Sequence, residues 1–204
     1  MPKRSDIAAI LFAGGKSSRM GRDKALLPFG EFGSLGEYQY RKLQQIFENV
    51  YISAKEDKFD FDANIIYDKL DESSPMVALY SIFEQINAEE ILILSVDMPM
   101  VTSKEISQLI QHWDSLEKKP EILISSSLKG DEPLFGIYSK KILPMIISLL
   151  GQKEHRLGRL TQLSDTEKYL FEDEDIFLNL NTPQDYKKSL AQIPLSSSSV
   201  TKSL

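Results

Sequence analysis

The chain reads as an α/β protein: a mainly parallel sheet flanked by helices on both faces, in three layers. Three observations point there. Short apolar runs alternate with segments of helical spacing along most of the 204 residues. One run, Ile91–Val96, is rich enough in Ile, Leu and Val for a central strand buried on both faces, as parallel sheets require. The first run ends in the glycine pair Gly14-Gly15, the kind of turn that carries a chain from a strand into a ligand-facing loop.

The elements follow in order. Ile7–Phe12 is predicted as the first strand, followed by the glycine loop and a polar stretch holding Pro28, Gly30, Gly33 and Gly36. A helix begins near Glu37, and Leu43, Ile46, Phe47 and Val50 continue its apolar spacing. Val50–Ala54 and Ile65–Tyr67 are short strands. Met76, Leu79, Tyr80, Phe83 and Ile86 form one face of a second helix, with Pro75 near its first position, where a missing N–H costs nothing. After Ile91–Val96 comes a helix near Ser103–Trp113, with Ser103 as its expected N-cap. Glu121–Ser125 and Phe135–Tyr138 are strands. Lys140–Leu150 is helical, with Pro144 marking a kink or a boundary, and Arg156–Leu163 is a short helix. Tyr169–Phe171 and Phe177–Leu180 are expected strands. Thr182 caps a last helix opened by Pro183. This places one domain over residues 1–192. Residues 193–204, with the run Ser196–Ser199, hold too little apolar content to pack and are expected to be a disordered tail.

Composition narrows the function. Hydrophobic residues make up 42% and charged residues 26%, as in ordinary soluble globular proteins. The chain has no cysteine, so disulfides, thiolate metal sites and a catalytic thiol are excluded, and His112 and His155 are too few for a histidine-rich metal cluster. The net charge of −6 argues against a general nucleic-acid or anionic-membrane surface. It leaves room for a locally basic cleft that takes an anionic small molecule. No apolar leader precedes the first strand, and Ile142–Leu150 is far shorter than the roughly 20 residues that span a bilayer. A soluble cytoplasmic protein with neither nucleic acid nor membrane as partner is the expectation.

The segment Ile10-Leu-Phe-Ala-Gly-Gly-Lys-Ser-Ser-Arg-Met-Gly-Arg-Asp-Lys24 carries the chemistry. A glycine pair after a strand turns backbone N–H groups toward a ligand, and Arg19 and Lys24 bring positive charge to the same place. That combination suits a polyphosphate. A Walker loop is excluded because its first glycine would fall at Ile10, and the spacing of Gly14, Gly15 and Gly21 does not fit a dinucleotide fingerprint. The segment instead resembles the nucleotidyltransferase signature that runs (L/F)-A-G-G-x-S-x-R-M-G-x-D-K, matched here from Phe12 and Ala13 through Ser17, Arg19, Met20, Gly21 and Asp23 to Lys24. The family it most resembles is that of the molybdenum cofactor guanylyltransferases. The resemblance runs over about residues 7–190, strongest in this segment.

That resemblance implies a Rossmann-like nucleotidyltransferase fold of the nucleotide-diphospho-sugar transferase type. It also implies a reaction in which GMP passes from GTP to the terminal phosphate of molybdopterin, releasing pyrophosphate. Phe12, Ala13, Gly14 and Gly15 would contact nucleotide, the two glycines through N–H groups on the β- and γ-phosphates. Arg19 and Lys24 would stabilise phosphate charge, and Asp97, in Asp97-Met98-Pro99, would hold Mg²⁺. Read without the family, Asp97 is equally a turn-capping carboxylate beyond the most buried strand. Asp68, after Ile65–Tyr67, matches a nucleotide contact of related guanylyltransferases, where a carboxylate accepts from the N1–H and 2-amino edge of guanine.

Several positions depart from the family. Ser53 stands where relatives often have Asn. Ser74-Pro75-Met76-Val77-Ala78 replaces Gly-Pro-Leu-Ala-Gly, and Glu132-Pro133 replaces His-Pro. Asn179 and Asn181, in Asn-Leu-Asn-Thr-Pro183, would order a helix N-terminus at the site. In the basic segment Lys153, His155, Arg156 and Arg159, Arg156 is the candidate for gripping the acceptor phosphate. The partners implied are GTP, molybdopterin or the molybdenum cofactor, and recipient chaperones of molybdoenzymes or other cofactor-synthesis proteins. The alternatives are a related transferase using CTP or another phosphorylated acceptor, and a non-catalytic nucleotide-binding cofactor partner.

Overall fold

The computed structural model describes residues 2–14 and 23–192. Seven strands form one sheet in the order β3-β2-β1-β4-β6-β5-β7, built from β1 Ala8–Phe12, β2 Val50–Ala54, β3 Ile65–Tyr67, β4 Glu90–Ser95, β5 Ile122–Ser127, β6 Gly130–Ser139 and β7 Thr166–Leu170. β6 is antiparallel to both neighbours, β4 and β5, while the other pairings are parallel. Among the described residues, six helices cover the sheet: α1 Leu35–Gln44, α2 Pro75–Gln85, α3 Ser103–Ser115, α4 Leu143–Gly151, α5 Leu157–Leu163 and α6 Pro183–Gln192.

Successive strand side chains point to opposite faces, so each strand feeds two cores. Ala9, Leu11, Leu92 and Leu94 pack with α1 and α3, where Leu43, Leu109 and Trp113 are buried; Tyr186 and Leu190 of α6 close the same side. Ala8, Ile10, Ile91 and Ile93 pack with Leu79 and Ile82 of α2, Ile146 of α4 and Leu160 of α5. Apolar residues thus line both faces of β1 and β4, which is the three-layer arrangement expected.

Most elements lie where the sequence places them, and three details do not follow the expectation. The first helix ends at Gln44, and Val50 opens β2 rather than closing that helix. Thr102, not Ser103, caps α3: its Oγ1 accepts from Lys104 N at 3.2 Å, and the Glu105 carboxylate accepts from Thr102 N at 2.9 Å. Of the two roles expected for Pro144 it takes that of a boundary, with one turn of tighter 3₁₀ helix at Lys140–Ile142 before α4. Phe177–Leu180 is not a strand. A short 3₁₀ helix, Glu174–Phe177, leads into irregular chain there, and Leu180 N donates to the Asp97 carbonyl at 3.0 Å. The apolar residues Phe177 and Leu180 are buried by docking onto the sheet's end instead of joining its ladder. Among the described residues, no helix is long and apolar enough to cross a membrane.

Candidate active site

The carboxyl ends of β1, β2, β3 and β4 meet around one cleft, the place where open α/β sheets hold ligands. Its walls include Phe12, Gly14, Ser53, Asp68, Ser74 and Ser95, around a volume of about 150 Å³. Among the described residues, no atom lies within 4 Å of a Cβ added to Gly14. Ala13 N donates to the Ser53 carbonyl at 3.1 Å, which fixes the ends of β1 and β2 side by side.

Asp68 is held by backbone anchors on each side of it. Gln85 Nε2 donates to the Tyr67 carbonyl at 2.7 Å, and Lys69 N donates to Ser81 Oγ at 2.8 Å, both partners lying on α2. Burial pushes the Asp68 carboxyl above its ordinary range, with the positive charge of Lys55 opposing the shift.

Asp97 follows β4. Its Oδ1 accepts from Ser95 Oγ at 2.6 Å, and its Oδ2 lies 3.3 Å from Lys24 Nζ. Lys24 Nζ also donates to Asn181 Oδ1 at 2.9 Å, so residues far apart in sequence converge. Asn181 N donates to the Asn179 carbonyl, and the following Thr182 and Asp185 cap α6 reciprocally, with Thr182 N donating to the Asp185 carboxylate at 2.8 Å. Lys24 itself opens a short 3₁₀ helix, Lys24–Leu26, capped by Asp23 Oδ1, which accepts from Ala25 N. Gly36 lets α1 approach that turn closely: a Cβ there would stand 3.1 Å from the Ala25 carbonyl and 2.7 Å from the Phe59 ring.

The oxygens of Asp97 and Asn181 already gather around a positive atom, Lys24 Nζ. Among the described residues no group of three or more His, Cys, Asp or Glu side chains could hold a metal. That donor set fits Mg²⁺, which takes one or two protein oxygens and fills its shell with phosphate and water. Glu132 feels the same field: burial first, then the charges of Asp97 and Asp131, raise its carboxyl above the ordinary range.

Gly15 and Arg19 lie outside the described residues. Arg156 is not drawn into the cleft. Its guanidinium is 80% exposed and binds Glu154 through Nε at 2.9 Å and Nη2 at 2.6 Å. Its neighbour His155 instead reaches the cleft wall, with Nδ1 3.1 Å from Ser74 Oγ. Sequence reasoning also missed Lys58, whose Nζ donates to the Ala13 carbonyl at 3.0 Å and to Asp23 Oδ2 at 2.5 Å. It missed Gln39, a fully buried α1 side chain whose Nε2 reaches the Ser95 and Val96 carbonyls.

A glycine-bounded strand end, a carboxylate just past the adjoining strand and a lysine brought against it by a short 3₁₀ helix define a nucleotide-handling α/β protein of the nucleotidyltransferase fold. More specifically, the chain belongs to the MobA-like NTP transferase domain family, whose model matches residues 9–167. A curated relative from Campylobacter jejuni (serotype O:6, strain 81116), named molybdenum cofactor guanylyltransferase, is 37% identical over 191 residues, covering 93% of this chain and 98% of its own. A protein of the same name from Helicobacter pylori strain 26695 is 30% identical over 192 residues, covering 91% of this chain and 92% of its own. The crystal structure of molybdopterin-guanine dinucleotide biosynthesis protein A from Archaeoglobus fulgidus superposes with a TM-score of 0.77 at 17% identity, over 91% of this chain and 97% of that one.

Proposed function

We infer that this protein is a nucleotidyltransferase that moves GMP from GTP to the terminal phosphate of molybdopterin, yielding molybdopterin guanine dinucleotide and pyrophosphate. The observation that carries the reading is the convergence of Lys24, Asp97 and Asn181 beside the base-sized cleft walled by Asp68, in a chain whose relatives at up to 38% identity are named molybdenum cofactor guanylyltransferase. An oxygen of the acceptor phosphate bonds to the α-phosphorus of GTP as the bond to the oxygen bridging toward the β-phosphorus breaks. The leaving pyrophosphate takes the electron pair. Such transfer rests on positioning and charge neutralisation more than on a covalent protein group.

Within that reaction Gly14, with Gly15, offers N–H groups to the β- and γ-phosphates, alongside the backbone of Phe12 and Ala13. Lys24, as a point charge, and Arg19, as a bidentate donor, neutralise the phosphates and the departing pyrophosphate. Asp97 would hold Mg²⁺, with Asn181 as an added oxygen, and Ser95 orients the carboxylate. Such an ion would supply Lewis acidity. Asp68 accepts from the donor edge of guanine, and Ser53 adds a hydroxyl to the same wall. Asn179 shapes the turn that presents Asn181 toward the acceptor side. We place the reaction in the cytoplasm, with a molybdoenzyme chaperone or cofactor-synthesis protein receiving the product.

Titration calorimetry with Mg²⁺ tests the nucleotide assignment. GTP is expected to bind at least tenfold more tightly than ATP or CTP, about 1.4 kcal/mol. Equal affinities would contradict it.

A further inference from the structure

Ser74 caps α2 and lines the cleft together with Asp68 and Ser53. Its hydroxyl oxygen accepts from Val77 N at 3.1 Å and lies 3.1 Å from His155 Nδ1, which comes from the turn between α4 and α5. The other ring nitrogen, His155 Nε2, is 3.0 Å from Glu72 Oε2. The donor inventory sets the direction of these bonds. An ionised carboxylate only accepts, so in the neutral tautomer that satisfies Glu72 the ring hydrogen lies on Nε2. In that tautomer Nδ1 is an acceptor and Ser74 Oγ–H donates to it. With its hydrogen committed to His155 and one lone pair to Val77, the hydroxyl has one lone pair left.

We propose that the Glu72–His155–Ser74 relay makes His155 a specificity-determining positioning residue, which fixes Ser74 as a hydrogen-bond acceptor on the nucleobase side of the cleft. The inference rests on the reading of this cleft as the base site. Two acceptors, Asp68 and Ser74, favour a base edge that carries neighbouring donors. Guanine carries N1–H and a 2-amino group on one edge. Hypoxanthine keeps N1–H but has no 2-amino group, and adenine presents an unprotonated N1. Freed from His155, the Ser74 hydroxyl rotates and presents its hydrogen as readily as its lone pair, so the preference for a donor is lost.

Steady-state turnover with GTP and with inosine triphosphate, in the full-length protein, tests the relay. His155→Ala is expected to narrow the GTP-over-ITP ratio of kcat/KM by roughly three- to tenfold, the worth of one hydrogen bond, through KM for GTP rather than kcat. His155→Asn, whose Oδ1 can take over the acceptor role of Nδ1, should keep more of the ratio than His155→Ala. In a Ser74→Gly background, His155→Ala should change the ratio no further, because the group it acts through is gone. An unchanged ratio in His155→Ala, or losses that add in the double variant, overturns the relay. A purely structural role would lower folding stability and kcat without moving the ratio, and that outcome also overturns it. Wild-type protein that uses GTP no better than ATP or CTP overturns the base-site reading itself, a result distinct from any failure of the His155 variants.

Discussion

Lys24 reaches Asp97 because a chain of contacts aims it there. Lys58 Nζ bonds both the Ala13 carbonyl and Asp23, joining residues on either side of segment 14–22, and Asp23 in turn caps the turn that carries Lys24. The Lys58 side chain is only 16% exposed, so its charge is weakly screened and its pairing with Asp23 is more than a surface contact. Lys58→Met should therefore lower kcat/KM for GTP about tenfold, by loosening Lys24 and leaving Asp23 without its cation. Steady-state kinetics at wild-type values would show that Lys24 keeps its place without this clasp. Sequence reading found Lys24 and Asp97 because both sit in short motifs. Lys58 stands 35 residues from Asp23 and 45 from Ala13, in a loop with no motif, so only the folded chain reveals it. His155 was visible only as one of four basic residues, and its more conspicuous neighbour Arg156 turns outward to Glu154.

At the scale of elements, the site depends on how α1 and the β4–α3 connection pack together. Lys42 of α1 is buried, with Nζ donating to the Val101 carbonyl and lying 5.2 Å from the centre of the Tyr38 ring. Burial lowers its pKa from the usual 10.5 to about 7, with the Glu105 carboxylate opposing that shift. The unfolded chain keeps the Lys42 proton up to about 10.5 and the folded chain only to about 7, so between these values the unfolded state binds more protons. The stability linked to Lys42 therefore rises with pH across that window, and the burial cost is full below it. Lys42→Met removes the titration. Its stability relative to wild type should be most favourable near about pH 6 and decline steadily toward about pH 9 in urea melts, and a difference independent of pH would contradict the burial argument.

Strands were legible where apolar runs are short and dense: the expected bounds of Val50–Ala54 and Ile65–Tyr67 match β2 and β3. Pairing direction was not, because a run such as Phe135–Tyr138 carries no local mark that it will run antiparallel between β4 and β5. Its place there depends on Gly136, where a Cβ would stand 2.6 Å from the Leu123 carbonyl. Phe177–Leu180 has the composition of a strand but spends its backbone on the Asp97 carbonyl, so a structural ligand-side contact was misread as a ladder.

Across the whole molecule, two apolar cores on either face of the sheet hold the strand ends rigid, and the chemistry lies on the loops those ends support. The layers, the glycine-bounded first strand and the nucleotidyltransferase family were readable from the chain. The linkage between the cleft and the α4–α5 turn was not, since it exists only once α2 and α4 pack together. The central claim is transfer of GMP from GTP, in preference to other nucleotides, to molybdopterin. Its most direct test is incubation of the purified protein with molybdopterin, Mg²⁺ and GTP, ATP or CTP in turn, with the dinucleotide product and pyrophosphate measured together. The account predicts a guanine dinucleotide and matching pyrophosphate with GTP, little product with ATP or CTP, and none from a folded Asp97→Ala variant. Equal product from CTP, product from Asp97→Ala at the wild-type rate, or no product from GTP would contradict it.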